Sequence, residues 1–251
     1  MTTDKKMLEE MLEAACHFGH KVSKWNPKMH KYIYTKREGV HIFDLTKTKA
    51  ALEKACDFLR ETAANGKEIL IVSTKLHATR LMREAAEKCE CPYVTQKWMP
   101  GLLTNFDTIR KRIKYFRDLK EQKAKGEWED KYTKKERLDL SRTLDKLEDA
   151  FSGVQNMMKL PDVIFVLDSV RDVLALKEAK RLGIPTVGIC DTNADPDLLT
   201  CPVPGNDDAI RSLRFFMGKF TDAIIEGKRK NTSSAPVVQK TRPVQVSTPV
   251  V

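Results

Sequence analysis

Cys16, His17 and His20 lie within five positions of one another, at the start of the stretch CHFGHKVSKWNPKMHKYIY. Histidines at i and i+3 beside a cysteine can bind a metal ion from one turn. Structural zinc takes four donors, usually as two closely spaced pairs, whereas the remaining close pair, Cys89 and Cys91, has one residue between its members. We therefore predict no metal and no other cofactor. The histidines are expected to shape a docking loop, with zinc as the minor alternative.

Other stretches carry side chains suited to catalysis or cation binding. DTNADPD (191–197) spaces its oxygens like a calcium loop, but Pro196 stands where the sharp turn needs glycine. Ser73-Thr74-Lys75, Asp168-Ser169 and Asp191-Thr192-Asn193 follow predicted strands, where α/β enzymes place their sites. Because no phosphate loop, dinucleotide motif or nucleophile elbow accompanies them, we predict turns and caps and no enzyme activity. An α/β nucleotide-binding enzyme domain is the alternative.

The charge of the chain indicates a polyanionic partner. The net charge is +10 and the pI about 9.2, and the basic excess lies in residues 1–60, 97–160 and 228–251, on a body whose residues 161–227 are acidic. Such segregation predicts several contacts with nucleic acid. No apolar run is long enough for a membrane span and no secretory leader precedes the first helix, so we expect a cytoplasmic protein with reduced cysteines.

Two basic clusters are the candidate RNA contacts. The first alternates lysines with aromatic residues around an Asn-Pro break, and the second follows Gln96 in a predicted helix–loop region. Lysines neutralise phosphates and aromatic rings stack on unpaired bases, although a charge run on a helix is more often a solvated face. The predicted RNA-binding residues from these clusters are Lys21, Lys24, Trp25, Asn26, Lys28, Lys31, Lys97, Trp98, Arg110, Lys111, Arg112 and Lys114.

Apolar runs alternate with amphipathic segments along most of the chain, which is typical of a parallel sheet covered by helices. The predicted elements are a hairpin in 31–44, strands in 68–74, 93–95, 163–168 and 186–191, and helices near 46–64, 76–89, 172–182 and 207–226.

Residues 101–160 depart from this pattern. Apolar residues recur at steps of three and four in two segments separated by 123–135, which predicts an antiparallel coiled-coil hairpin inserted into the sheet domain. Trp128 and Tyr132 at its tip are candidate protein contacts. The predicted domains are thus 1–100 with 161–227, the insertion 101–160, and a disordered basic tail over 228–251.

Seven segments of the chain resemble the bacterial ribosomal protein S-two family. They are HFGH (17–20), WNPKM (25–29), YIYTKREGVHIFDLTKT (32–48), TNFDTIRKRI (104–113), LPDVIFVLD (160–168), LGIPTVGICDTNADPD (182–197) and PGNDDAIR (204–211). The resemblance implies an α/β fold with three layers, α/β/α, a five-stranded parallel sheet in flavodoxin-like order and an inserted coiled-coil hairpin.

The resemblance also implies a function. The family is non-enzymatic, lies between the head and body of the small ribosomal subunit, contacts small-subunit ribosomal RNA and neighbouring ribosomal proteins as a monomer, and in many bacteria helps dock the RNA-binding protein S-one. It adds Asn105 and Arg211 to the predicted RNA contacts. The family residues present here are His17, Gly19, His20, Trp25, Asn26, Pro27, Lys28, Met29, Trp98, Gly101, Thr104, Asn105, Phe106, Pro204, Gly205, Asn206, Asp207, Asp208 and Arg211.

The chain departs from the family pattern in three places. Ala15-Cys16 stands where the family more often has glycine and an aliphatic residue, Pro100 replaces a usual glycine, and Ser169-Val170 replaces a common Pro-Arg pair. Because proline fixes φ, Pro100 is expected to change the local path of the chain into the insertion.

Overall fold

The structure is a computed structural model that describes residues 3–234. Its N-terminal region contains one helix and a small antiparallel sheet. The helix α1 (Thr3–Glu13) leads into β1 (Phe18–Lys21), β2 (Ile33–Arg37) and β3 (Val40–Phe43), which pair in the order β1-β3-β2. Glu38 and Gly39 join β2 to β3 with φ of 52° and 77°, as a two-residue hairpin turn requires. The predicted hairpin is confirmed. The strand β1 was not predicted because its FGHK sequence shows no apolar alternation.

The rest of the described chain alternates helices and strands. In chain order these elements are α2 (Leu45–Ala64), β4 (Ile69–Val72), α3 (Thr79–Lys88), β5 (Tyr93–Val94), α4 (Phe106–Ala124), α5 (Glu127–Lys131), α6 (Lys134–Phe151), β6 (Val163–Val166), α7 (Val173–Leu182), β7 (Thr186–Cys190), β8 (Cys201–Pro204) and α8 (Ile210–Ser234).

The strands β4 to β8 form a parallel sheet in the order β5-β4-β6-β7-β8. Every residue of β4, β6 and β7 is buried, because helices cover both faces. Ile71 and Phe165 pack on one face with Phe220 of α8, while Val72 and Ile164 pack on the other with the residues of α7. The predicted three-layer fold and its flavodoxin-like strand order are confirmed.

The edge strand β8 was missed from the residue pattern because its sequence, CPVP, contains two prolines. Proline lacks an amide donor and is tolerated in a sheet at an edge. Here β8 pairs on one side only, with β7. The family resemblance, and not the local sequence, implied this fifth strand.

The last helix is longer than predicted. Gly227 was interpreted as a residue that ends the helix, but α8 continues to Ser234. A β-carbon at Gly227 would lie 2.3 Å from the carbonyl oxygen of Arg60 in α2, so this glycine permits close helix packing instead of ending a helix. The predicted disordered tail is therefore wrong for residues 228–234, and its remainder, 235–251, lies outside the described residues. Within the described residues no helix is long and apolar enough to cross a membrane.

The insertion contains two long helices, α4 and α6, joined by the short α5. They contact each other along buried positions that include Ile113, Phe116 and Leu144. Lys120 of α4 pairs with Glu148 of α6 at 3.1 Å, and Lys123, further along α4, lies 3.4 Å from Ser141, earlier in α6, so the two helices are antiparallel. Leu102 lies in the preceding turn and not in a helix. Coiled-coil packing in this insertion stays a prediction.

All six cysteines are free thiols. Burial raises the pKa of Cys16 to about 11, and it raises the pKa values of Cys56 and Cys190 to about 12. These thiols are therefore protonated at neutral pH and behave as small core side chains.

Candidate nucleic-acid interface

The exposed side of α4 carries four cations around one cleft. The helix buries Ile109, Ile113 and Phe116 and turns the residues between them to solvent. A cleft of about 370 Å³ opens between α4 and residues 155–158. We call its basic wall the α4 surface, and its members are Arg110, Lys111, Lys114 and Arg117.

The α4 surface has a strong positive charge. Asp118 is the single acidic residue among those that line the cleft, and within the described chain none of the four cations forms an ion pair. Arg112 is exposed but does not line the cleft. Since unneutralised cations on one wall attract polyanions, this surface has the electrostatics of a phosphate-backbone contact.

A buried carboxylate holds the loop from which α4 starts. Glu178 accepts hydrogen bonds from Trp98 Nε1 at 3.1 Å and from the backbone amides of Gly101, Leu103 and Thr104 at 2.8 to 3.1 Å. Burial by itself raises the pKa of Glu178, but these donors together hold it below its usual value. Glu178 of α7 therefore fixes the position of the α4 surface relative to the sheet.

The same loop corrects one predicted RNA contact. Trp98 is 6% exposed and its indole N–H is bound to Glu178, so the ring cannot stack on a base. The prediction for Trp98 was wrong because an aromatic residue next to Lys97 has the same sequence pattern whether its ring faces solvent or the core. Pro100 is accommodated because the next residue, Gly101, takes the positive φ of 85°.

Residues 18–32, here called the N-terminal arm, lie against the carboxyl end of β7. The amide of His20 donates to Thr192 Oγ1 at 2.8 Å, and the amide of Asn26 donates to the Thr192 carbonyl at 2.7 Å. A β-carbon at Gly19 would lie 2.5 Å from Thr192 Cγ2, so only glycine allows this approach. The arm is thus a folded part of the sheet domain.

The lysines of the arm divide into two groups. Lys21, Lys24 and Lys31 are exposed. Lys28 is exposed as well, but unlike these three it forms ion pairs within the described chain, with Asp195 at 2.8 Å and with Asp197 at 2.9 Å. Its predicted RNA contact therefore has an internal competitor that the sequence pattern did not reveal.

Two further features lie in or next to the N-terminal arm, a half-buried tryptophan and a pair of exposed cations. Trp25 is half-buried against His41, with ring centroids 5.0 Å apart. Lys36 and Arg37 in the β2–β3 hairpin are exposed cations that the sequence analysis did not select. A run of basic residues beside a glycine turn was their only signal.

A buried cluster of charges fills the carboxyl end of the large sheet. Lys75 Nζ lies 3.1 Å from Asp168 Oδ2, 2.8 Å from Asp207 Oδ1 and 2.8 Å from Asp208 Oδ1. We call these four residues the Lys75 cluster. From the sequence, only turns and caps were predicted here. Asp168 does cap its turn through the amides of residues 170 and 171, but the convergence of four charges was not foreseen.

Burial and charge act in opposite directions within the Lys75 cluster. Burial by itself lowers the pKa of Lys75, but the neighbouring carboxylates together raise it above its usual value. Burial, with help from Asp168 and Asp191, raises the pKa of Asp207 to about 7. The cluster is therefore a structural unit whose cation is satisfied from within the protein.

His20 joins the arm to this end of the sheet. Its Nδ1 lies 3.1 Å from Asp191 Oδ1, and its Nε2 lies 3.5 Å from Asp208 Oδ2. The hydrogen bond to Asp191 raises the pKa of His20. The two neighbours considered with it for zinc have other surroundings: Cys16 accepts from Ser212 Oγ at 3.4 Å, and His17 borders a different groove.

The remaining predicted contacts lie in separate places. Lys97, Asn105 and Arg211 are exposed. At the tip of the insertion Trp128 is 5% exposed and packs in the hydrophobic core, with Lys123 Nζ 5.6 Å from its ring centroid. The prediction of Trp128 as a protein-binding anchor was therefore wrong, because the tip folds the ring inward. Tyr132 is 36% exposed.

Taken together, the fold and these surfaces define a basic α/β protein with a filled strand-end crevice and external cations suited to a polyanion. The model of the family described as ribosomal protein S2 matches residues 11–227. The chain belongs to the ribosomal protein S2 family.

Relatives of similar length support this assignment. Small ribosomal subunit protein uS2 of Dictyoglomus thermophilum is 46% identical over 239 residues, which are 95% of this chain and 97% of the relative. The uS2c protein of Mesostigma viride is 49% identical over 222 residues, 88% of this chain and 97% of its own. The uS2 protein of Roseiflexus is 46% identical over 226 residues, 90% of this chain and 86% of its own. These names describe ribosomal proteins and not enzymes.

Proposed function

We propose that this protein is a structural constituent of the small ribosomal subunit and that it binds small-subunit ribosomal RNA through the α4 surface and the exposed lysines of the N-terminal arm. Membership of the ribosomal protein S2 family supports the first part. The observation that carries the second is the group of four cations that line one cleft without ion pairs in the described chain.

Phosphate chemistry explains why these cations are suitable. Each cation that neutralises a phosphate releases a condensed counterion, so the affinity depends strongly on salt. A wall of four cations on a helix follows a backbone without reading its sequence, which suits attachment to folded RNA. Lys21, Lys24 and Lys31 add a second contact on another part of the molecule.

The test replaces Arg110, Lys111, Lys114 and Arg117 together by Gln and measures binding to small subunits depleted of this protein. The affinity should fall by about a hundredfold or more, and the slope of log K against log salt should fall by about 3. A matched control replaces four cations that already have carboxylate partners, Arg80, Lys120, Lys125 and Lys131. An equal loss in the control, or none in the α4 variant, would refute the assignment to this surface.

The alternative function, a nucleotide-binding enzyme domain, conflicts with the geometry of the sheet. Ligands of such folds bind outside the carboxyl ends of the strands. Here the N-terminal arm and the Lys75 cluster occupy that position. Nucleotides should therefore give no saturable increase in melting temperature.

We also infer that the protein docks S-one. An apolar groove of about 500 Å³ lies between α1, β3 and the start of α2, and Leu8, Leu12, Tyr34 and Ile42 line it. Leu12 is 57% and Tyr34 76% exposed, which is unusual for side chains of this size and favours a protein contact.

Two variants separate this docking from RNA binding. Leu12→Gln with Tyr34→Ser should reduce co-purification of S-one while incorporation into small subunits stays normal. Leu138→Gln with Tyr115→Ser, two other exposed apolar positions on the insertion, is the control and should change neither. Normal S-one retention in the first variant would contradict the groove as the docking site.

A further inference from the structure

We propose that His20, Asp191 and Asp208 bind a divalent transition-metal cation of the zinc type, at the junction between the N-terminal arm and the sheet domain. Within the described residues, these side chains form a group whose three ligand atoms all lie within 4.8 Å of one another. One imidazole with two carboxylates is a donor set that zinc accepts, with water in an open position.

The spacing of the donors suits such an ion. Zinc bonds of about 2.0 to 2.2 Å place tetrahedral ligands about 3.4 Å apart. His20 Nε2 and Asp208 Oδ2 are already 3.5 Å apart. Asp191 lies on the other side of the imidazole, 3.1 Å from Nδ1. Because one atom from each residue already lies within 4.8 Å of the others, rotation of the exposed Asp208 side chain would bring its carboxylate toward the imidazole nitrogen that faces Asp191.

The carboxylates around His20 can accommodate a further positive charge. Lys75 contacts Asp208 through Oδ1, which leaves Oδ2 of that residue directed at His20. Asp191 is 1% exposed, and its one recorded ion-pair partner in the described chain is His20. Four carboxylates, Asp191 and those of the Lys75 cluster, thus converge on one lysine and on the imidazole of His20. A divalent cation between His20, Asp191 and Asp208 would balance them.

Neighbouring groups already hold two of the three ligands in place. The backbone amide of His20 is bound to Thr192 Oγ1, and the amide of Thr192 donates to Asp191 Oδ1. Such outer contacts orient ligands before the ion arrives. Asp208 is 61% exposed and provides the access route. Because the ligands come from β1, the end of β7 and the segment before α8, the ion would fasten the arm to the sheet domain.

The experiment uses the purified, untagged full chain after treatment with chelator. Titration with zinc chloride, followed by calorimetry and metal analysis, should show one equivalent bound by the unaltered protein. Cobalt(II) should give an absorption spectrum without a thiolate-to-cobalt charge-transfer band, since the site has no cysteine.

Variants identify the site. Asp208→Asn and His20→Asn should each weaken zinc binding by more than about tenfold. Asp197→Asn changes an equally exposed carboxylate, and His17→Asn changes the nearby histidine outside the group. Both controls should bind zinc like the unaltered chain. Asp208→Asn keeps the test valid if His20→Asn fails to fold, because Asp208 is largely exposed.

Three results would overturn the proposal: no zinc bound by the unaltered chain, unchanged binding by Asp208→Asn, or a thiolate band with cobalt. The measurement uses the free protein, so its outcome is independent of RNA binding by the α4 surface.

Discussion

Two charged regions of this protein contrast in how their charges are neutralised. In the Lys75 cluster an ammonium group is enclosed by three carboxylates at about 3 Å. On the α4 surface four cations line a cleft and form no ion pair in the described chain. Charge that is balanced within the fold is costly to unpair, whereas charge without an internal partner is available to an external one.

The largest effect is expected when the buried cation of the Lys75 cluster is removed. Lys75→Met should lower the free energy of unfolding by about 3 to 5 kcal/mol, because it leaves Asp168 and Asp207 buried without their counterion. Urea unfolding followed by circular dichroism measures the change.

The matched control for that variant is Lys28→Met. Lys28 also pairs with two aspartates, but its side chain is 50% exposed, so its loss should cost less than about 1 kcal/mol. Equal costs for the two variants would show that the Lys75 cluster is no more structural than a surface pair.

A second variant tests the carboxylate that supports the α4 surface. Glu178→Gln replaces one acceptor oxygen by an NH₂ group that faces amide donors, so unfolding should become easier by about 2 to 3 kcal/mol. Affinity for depleted small subunits should fall as well, because the loop before α4 loses its anchor. Glu148→Gln, an exposed carboxylate paired with Lys120, should leave both quantities nearly unchanged. Unaltered stability of Glu178→Gln would refute the anchoring role.

The smallest effect is the pH dependence of stability that comes from Cys190, a buried thiol next to Asp191. Burial raises the pKa of Cys190 to about 12, above the ordinary value of 9.0. As the pH rises, the thiol therefore loses its proton in the unfolded chain before it does so in the folded protein. The contribution of the protonated thiol to the free energy of unfolding is complete below pH 9. Between pH 9 and about pH 12 it declines by up to about 1.4 kcal/mol per pH unit.

Comparison of the unaltered protein with Cys190→Ala isolates this contribution. Urea unfolding between pH 8 and 10.5 should show a steeper loss of stability in the unaltered protein than in the variant. Identical slopes would mean that the thiol is not buried as its position under the carboxyl edge of the sheet indicates.

The reliability of the sequence predictions follows from where the relevant forces act. The strands at 68–74, 163–168 and 186–191 were found because burial on both faces produces unbroken apolar runs. The β8 strand has no such signal, since an edge position tolerates its prolines. Gly227 was misinterpreted because a glycine that ends a helix and a glycine that admits a neighbouring helix have the same local sequence.

The sequence predicted which basic residues the candidate site contains, but it did not predict which side chains are buried or paired. The exposed cations at Arg110, Lys111 and Lys114 were identified as a basic run at the root of the predicted coiled coil, whereas Arg117, one helical turn further on, was not selected. Trp98 and Trp128 were misassigned because their buried orientation depends on Glu178 and on the hydrophobic packing of the insertion. The competitor for Lys28 comes from residues 195–197, far away along the chain.

The amino-acid sequence by itself determined the α/β class, the central strands, the family and the excess of positive charge, because these depend on local periodicity, composition and ordered motifs. Only the tertiary structure decided which charges are neutralised. Ion pairing is settled over distances of about 3 Å between residues that can be more than a hundred positions apart, as Lys75 and Asp207 are. The division between cations that are paired within the fold and cations that have no internal partner in the described chain is therefore a property of the folded chain.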